Sequence, residues 1–438
     1  MKQDNTSKPH LSRRDFVKRT AQGIAGIGAG LLASTNFAYA GGSDRIRIGL
    51  VGCGGRGTGA ANNALTADPA VELYAMGDLF GDRLEDSRKT LQEQGSGRVN
   101  VPDERCFTGF DNYSQVMDAG VDAVFLTTPP GFRPRHLQAA VERNLHVFME
   151  KPIAVDSAGV RAVIEAGEEG SRKNLSMVAG TQYRRQPSFL EAVKLVHEGA
   201  IGNLVAGQEY YMTGPIWFRE RKPGMTDLEW QCFNWYYYTW LSGDHIVEQF
   251  VHNIDTLDWI FQSHPERAIG NGGRQVRVDP KYGYIYDHFS IEYEYPNGAK
   301  VLAMSRQMGR TAGRNANRVI GTRGTADINP GNSLVALHNG EVLLRHDQRG
   351  NNPYVQTHVD LIASIREGKP INETREVAES TLTAILGREA AYTGQNLTWN
   401  EVYNADMNLV PDEFGFETMP SFEVPTPGST GLERSFPT

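Results

Sequence analysis

Residues 46–57 read "IRIGLVGCGGRG", and this stretch decides the fold. An apolar run with the character of a β-strand (Ile46, Ile48, Leu50, Val51) ends on Gly52-Cys53-Gly54-Gly55-Arg56-Gly57, a G-x-G-x-x-G pattern that leads into a segment of helical composition. In a strand–turn–helix unit the first glycine permits a tight turn and the second lets the backbone approach a pyrophosphate. The third lets helix and strand pack closely. Unpaired N–H groups at the helix start favour the anion. Asp78 closes the next apolar run, "VELYAMGD", where a carboxylate can accept hydrogen bonds from adenosine ribose hydroxyls. A carboxylate there repels a ribose phosphate, which favours NAD over NADP; Arg83 and Arg56 are the cations that could reverse that preference. The alternative for Asp78 is an ordinary helix N-cap in "GDLFGD".

Outward from this unit, candidate strands at 46–51, 71–76, 121–127, 146–149 and 175–179 alternate with segments of helical length such as 134–143 and 157–167. That alternation implies a parallel sheet with helices on both faces. After about residue 202 the texture changes. "LVAGQEYYMTG" reads as a strand, and "HFSIEYEYPNGAKVLAMSRQ" reads as a hairpin turning on Pro296-Asn297-Gly298. "SLVALHNGEVLLRHD" is a second hairpin with Asn339-Gly340 at its turn, and helices are expected at 354–367 and 378–393. The expected fold is therefore α/β: an N-terminal Rossmann dinucleotide-binding domain over 41–180, then an α+β domain over 181–402 with a large, mostly antiparallel sheet. The last helices of that domain are expected to pack back on the first, and 403–438 reads as an extended tail.

Chemistry gathers at three further places. Thr127, Thr128 and Pro129 in "LTTPP" follow the fourth strand, and Glu150-Lys151-Pro152 in "MEKPI" follows the fifth. Ligands of open parallel sheets bind at those carboxyl ends. Lys151 could hydrogen-bond a substrate hydroxyl and stabilise a developing oxyanion there, or form a structural salt bridge. In "SGDHIVEQFVHNIDTLDWIF", 242–261, read as one helix, Asp244, Glu248, His252 and Asp255 fall on a continuous stripe, with His245 near the same face. His252 could take a hydroxyl proton while Glu248 orients its other nitrogen. A buried polar seam or a metal site would also fit the spacing, but no cysteine and no HExxH accompanies it, so no metal is expected. "GPIWFRERKPG" and "WQCFNWYYYTWLSGD" are dense in aromatics; Trp217 could stack on a sugar ring and Arg219 bind its hydroxyls, or both could belong to core or interface. Tyr183 and Arg184 follow the sixth strand toward the same cleft.

The glycine loop, the Thr-Pro strand end, Glu150-Lys151-Pro152 and "GTQYR" (180–184), followed by an antiparallel-sheet domain, resemble the Gfo/Idh/MocA oxidoreductases over roughly 45–402. By that resemblance Lys151 lies beside the reacting carbon, and Glu150 and Gln182 lie along the nicotinamide side of the cofactor. Glu248 and His252 match the family's acid-x-x-x-His pattern, with Glu where Asp is usual. The resemblance implies a secondary hydroxyl of a sugar, cyclitol or glycoside as the reacting group and a dimer or tetramer as the assembly. It includes NAD-dependent α-N-acetylgalactosaminidases that oxidise C3 transiently, whose Tyr-Pro-Thr-His segment is missing here. A non-catalytic exported sugar-binding protein is a third expectation, against which intact Lys151 and His252 argue.

Composition and the N-terminus narrow the setting. The 438 residues suggest two or three domains of roughly 100–200 residues each. With 39% apolar and 22% charged residues the chain can bury a core, and a net charge of −8 disfavours nucleic-acid binding. Three cysteines make no disulfide framework. Residues 1–40 have the parts of a twin-arginine export signal: Ser12-Arg13-Arg14-Asp15-Phe16-Val17-Lys18, a short glycine-interrupted apolar run and Ala38-Tyr39-Ala40. The run is too short for a stable membrane anchor. Export by that machinery to the periplasm carries folded proteins, so a cofactor loaded inside would have to be held tightly and regenerated within the catalytic cycle.

Overall fold

The computed structural model describes residues 45–94, 97–347, 350–414 and 423–436; the export signal expected at 1–40 lies outside them. Six parallel strands form the first sheet in the order β3-β2-β1-β4-β5-β6: β1 Ile46–Val51, β2 Val71–Asp78, β3 Cys106–Thr108, β4 Ala123–Leu126, β5 His146–Met149 and β6 Met177–Ala179. The helices Gly55–Ala67, Arg133–Glu142 and Ser157–Arg172 cover it. Burial on both faces is why these strands read as apolar runs instead of alternating. Leu50, Val51, Leu73, Val124, Leu126, Val147 and Met149 are all buried. The expected strands at 121–127 and 175–179 are shorter than their apolar runs, and β3 is an additional short edge strand. The strand order reverses between β1 and β4, so the crevice for a ligand opens where Gly52 and Thr127 leave the sheet.

A nine-stranded sheet follows, in the order β14-β13-β12-β11-β7-β10-β9-β8-β15, where β8 is Arg267–Gly273, β11 Arg314–Gly321, β12 Gly324–Asn329 and β15 Leu397–Thr398. Its pairs are antiparallel except β7 (Leu204–Thr213) with β10 (Lys300–Gln307). Both expected hairpins are present. β9 His288–Glu294 pairs with β10 around Gly298 (φ +78°), and β13 Asn332–Leu337 with β14 Val342–His346 around Gly340 (φ +93°). Alternation of buried and exposed residues in β9 and β10 leaves one face of this sheet open.

Two long helices tie the sheets together. Pro353–Glu367 lies under the first sheet, where the His358 ring stacks on Phe125 at 5.0 Å. Thr374–Thr393 is buried almost all round between helix Ser157–Arg172 and strand β8, which accounts for its lack of an amphipathic stripe. In the tail, Arg434–Ser435 pairs with Met407–Asn408, and Phe414 packs on Phe110 and Phe132.

One expectation about the fold fails. Residues 242–261 are not a single helix but a short turn of helix at His245–Glu248, a break, and a second helix at Val251–Phe261. Asp244 stands before the break with φ +73°, a left-handed backbone that no helix continues through. The stripe expected from four-residue spacing therefore does not form.

Candidate active site and dinucleotide groove

The glycine loop has the geometry its sequence implies. Gly52 turns the chain at φ +97°, and its carbonyl accepts a hydrogen bond from Thr127 Oγ1 at 2.6 Å. A Cβ at Gly57 would lie 1.9 Å from that carbonyl, so only glycine allows helix and turn to meet. Gly54 and Gly55, by contrast, have nothing within 4 Å of where a Cβ would stand, because they border a cavity of about 830 Å³. This open cradle at a helix start fits the diphosphate of a dinucleotide. Asp78 is buried at the end of β2; its carboxylate accepts from Cys53 N at 2.7 Å and from Phe80 N at 2.9 Å. It thus holds the glycine loop in shape and also borders the cavity, and burial raises its pKa. Pro129 borders the same cavity.

A smaller cleft of about 250 Å³ adjoins it, and Arg56, Thr127 and Thr128 border both. Glu150, Lys151, Gln182, Glu248 and His252 meet there. Lys151 Nζ donates to the Glu248 backbone carbonyl at 2.5 Å and stands 3.3 Å from its carboxylate, the two side chains being 10% and 12% exposed. Glu150 pairs with Arg56 at 2.5 Å, which brings an arginine of the glycine loop across to the end of β5. The Glu150 carboxylate also lies 2.7 Å from where a Cβ on Gly180 would be, so that glycine makes room for it. Gln182 Nε2 donates to the Tyr354 hydroxyl at 3.3 Å. His252 carries no side-chain hydrogen bond among the described residues. Its pKa is held well below the ordinary histidine value, first by burial and then by the Lys151 and Arg56 cations. It is therefore a neutral imidazole at neutral pH, able to accept a proton.

Several expected site residues are placed elsewhere. Glu248 engages Lys151 and not His252, because the break at residues 249–250 turns the two side chains off a common helix face. Asp244 and His245 are wholly buried. Asp244 accepts from Tyr286 N at 2.7 Å and the Tyr392 hydroxyl at 2.5 Å, and His245 Nε2 meets Ser305 Oγ at 3.0 Å, so neither reaches the cleft. Arg184 is held in a two-pronged ion pair with Asp255, both bonds 2.9 Å, and borders neither cavity. Tyr183 stacks on Phe189 at 4.6 Å and lies 5.2 Å from the His252 ring, behind the cleft and not in its wall. Trp217 and Arg219 border the large cavity with Asp78 and are not in the wall of the cleft that holds Lys151.

Three residues of the cleft were not singled out in the sequence, although Trp235 lies in the aromatic stretch 230–244. Arg133 is fully buried, donates to the carbonyls of Leu126 and Thr128, and has its pKa lowered to about 10 by burial. It fastens the Thr-Pro turn and adds a cation to the cleft. Trp235 borders both cavities, and Tyr354 closes the cleft from helix Pro353–Glu367. A lone arginine at a helix start, or one aromatic among many, has no distinctive spacing.

The fold and this pairing of groove with cleft define a Rossmann protein with a second, sheet-based domain set beside the cleft that holds Lys151. Residues 46–178 match the family described as oxidoreductase, NAD-binding Rossmann fold, and residues 189–327 match the C-terminal domain of the same family. The chain belongs to the Gfo/Idh/MocA family. It is 25% identical over 242 residues to a myo-inositol 2-dehydrogenase of Thermotoga maritima, a match covering 55% of this chain and 62% of that protein. It is also 25% identical over 316 residues to a glycosyl hydrolase family 109 protein of Shewanella pealeana, covering 66% of this chain and 65% of that one. Among solved structures, the aldose-aldose oxidoreductase of Caulobacter crescentus superposes with a TM-score of 0.63 at 19% identity, over 81% of this chain and 99% of that one. This last likeness is one of fold.

Proposed function

We propose that this protein is an oxidoreductase acting on a secondary hydroxyl of a sugar, cyclitol or glycoside, with NAD held tightly and restored within the catalytic cycle. The observation that carries the reading is the meeting of Lys151 and His252 in one cleft that shares Arg56, Thr127 and Thr128 with the dinucleotide groove. When bound, the nicotinamide supplies the acceptor for the hydride of the carbinol carbon. The chain supplies the rest. Lys151 has three N–H bonds, of which one is given to the Glu248 carbonyl and a second can face its carboxylate. The third is free to donate to the substrate oxygen and to stabilise charge developing on it. His252, neutral, takes the hydroxyl proton as the carbonyl forms. Glu150 pairs with Arg56 and Gln182 bonds Tyr354 in the lining of the same cleft.

NAD over NADP rests on Asp78 at the ribose end. Retention and recycling rest on the export signal read at residues 12–40, which implies a periplasmic enzyme loaded before export by the twin-arginine machinery. A redox-neutral glycosidase would place a transient oxidation in the same cleft; the Tyr-Pro-Thr-His segment is missing, but the likeness to a glycosyl hydrolase family 109 protein favours keeping it as a second reading. Mixing the purified protein with free sugars and with aryl glycosides while recording the nicotinamide absorbance tests both. Reduction by a free sugar or cyclitol, reversed by a second carbonyl compound, supports the oxidoreductase. Aglycone release with no net absorbance change supports the glycosidase. Neither response to any carbohydrate would contradict both.

A further inference from the structure

Between β7 and the helix at residues 251–261 the chain does not return directly to the second sheet. Residues 214–235 run instead to the adenosine end of the groove, where Trp217, Arg219, Lys222 and Phe233 face Asp78, Phe80 and Arg83 across the large cavity. This segment is tied to itself. Asn234, fully buried, accepts from Arg219 N at 3.0 Å and donates to its carbonyl at 2.9 Å. The Tyr237 hydroxyl donates to the Trp217 carbonyl at 2.9 Å, and Thr226 with Glu229 forms a reciprocal cap on the helix Asp227–Phe233.

It is also fastened to the opposite wall. Phe80 meets Phe233 edge to face at 5.7 Å, the Arg83 guanidinium lies 5.8 Å from the Phe233 ring, and Lys222 Nζ pairs with Asp82 at 2.7 Å. Arg219 stacks on Trp217 at 3.9 Å and donates to the Phe233 carbonyl. Among the described residues neither the Arg219 nor the Arg83 guanidinium forms an ion pair within 4 Å, although Asp78, Asp82 and Asp86 border the same cavity. Two guanidiniums outside any ion pair can each donate to a diphosphate, and the flat faces beside them suit a purine.

We infer that residues 214–235 form a retaining strap: Trp217, Arg219 and Phe233 bind the adenosine-diphosphate half of the dinucleotide, and the Phe80–Phe233 and Lys222–Asp82 contacts keep it from leaving during turnover. The inference rests on the reading of the groove as a nicotinamide dinucleotide site, and it moves Trp217 and Arg219 from the substrate to the cofactor. An open Rossmann groove lets its ligand exchange; a groove roofed by a second domain releases it only when the roof parts.

The test uses the purified mature protein, reloaded with NADH, and follows loss of the nicotinamide fluorescence excited through tryptophan after dilution into excess NAD. Arg219→Gln and Phe233→Ala are expected to raise the NADH off-rate at least tenfold. Lys222→Glu should raise it less, and the exchange Lys222→Glu with Asp82→Lys should restore it, which separates the latch from a folding defect. With cofactor in excess, KM for the carbohydrate should change less than threefold in Arg219→Gln. Off-rates unchanged in all these variants would overturn the strap, as would a raised carbohydrate KM at constant off-rate. If the protein is isolated without any cofactor, the proposed retention through export fails, yet the ratio of off-rates on reloaded protein still decides the strap.

Discussion

Lys151 sits where a cation is costly unless it is used. Its side chain is about one-tenth exposed, and its counter-charge is the nearby Glu248 carboxylate. Replacing it with Met keeps the bulk and removes the donor. Hydride transfer from a carbohydrate should then slow by at least ~10²-fold, the usual scale for a lost oxyanion donor, with the cofactor still bound; single-turnover reduction measured by absorbance checks this, and an unchanged rate would remove Lys151 from the chemistry. His252 gives a pH signature. Its pKa is depressed, so the imidazole remains unprotonated as pH falls through the ordinary histidine range near 6.5. The acid limb of kcat/KM should therefore lie below that range, and it should vanish in His252→Asn. A limb at or above 6.5 in the wild type would contradict the buried, cation-flanked placement. Both residues were legible in the sequence because each is part of a local pattern. Arg133 was not, since its role depends on two carbonyls brought to it by the fold.

Elements show what spacing cannot. Four-residue spacing from Asp244 to His252 suggests one helix face, but spacing does not record that Asp244 takes a left-handed φ. The break re-aims Glu248 to Lys151 and sends Asp244 and His245 into the interior. Asp244→Ala removes the acceptor of Tyr286 N and the Tyr392 hydroxyl, leaves both buried donors unpaired and places a Cβ residue without a polar side chain at positive φ. It should cost about 2–4 kcal/mol in urea unfolding. A variant of native stability with a raised carbohydrate KM would return Asp244 to the substrate site. Helix Pro353–Glu367 makes a second prediction. His358, buried against Phe125 and Phe148, has its pKa lowered to about 3 by burial. The unfolded chain binds a proton there below about 6.5 and the folded chain does not until about pH 3, so stability falls as pH falls between those limits. From pH 7 to pH 5 this group contributes a loss of roughly 2 kcal/mol. His358→Phe should flatten the pH dependence by that amount; an identical slope in the variant would place a charged or exposed imidazole at 358.

At the scale of the molecule, two sheets meet so that the carboxyl ends of β1, β4 and β5 face the helix carrying His252. The parallel sheet, the hairpins at Gly298 and Gly340 and the change of texture after residue 202 could all be read from periodicity and turn residues. The destination of residues 214–235 could not, because aromatic density signals burial without saying against which surface. If the chain assembles through the open face of the nine-stranded sheet, where Ile269 and Leu302 are exposed, light scattering of an Ile269→Lys/Leu302→Lys variant should give a smaller mass than the wild type, and an equal mass would contradict assembly through that face. If groove and cleft act together as proposed, the cofactor stays bound from one turnover to the next. Denaturing the purified mature protein and assaying the supernatant tests it most directly. The account predicts close to one NAD per chain, reduced when a carbohydrate substrate is added before denaturation. Protein free of nicotinamide cofactor that turns over added NAD efficiently would contradict it.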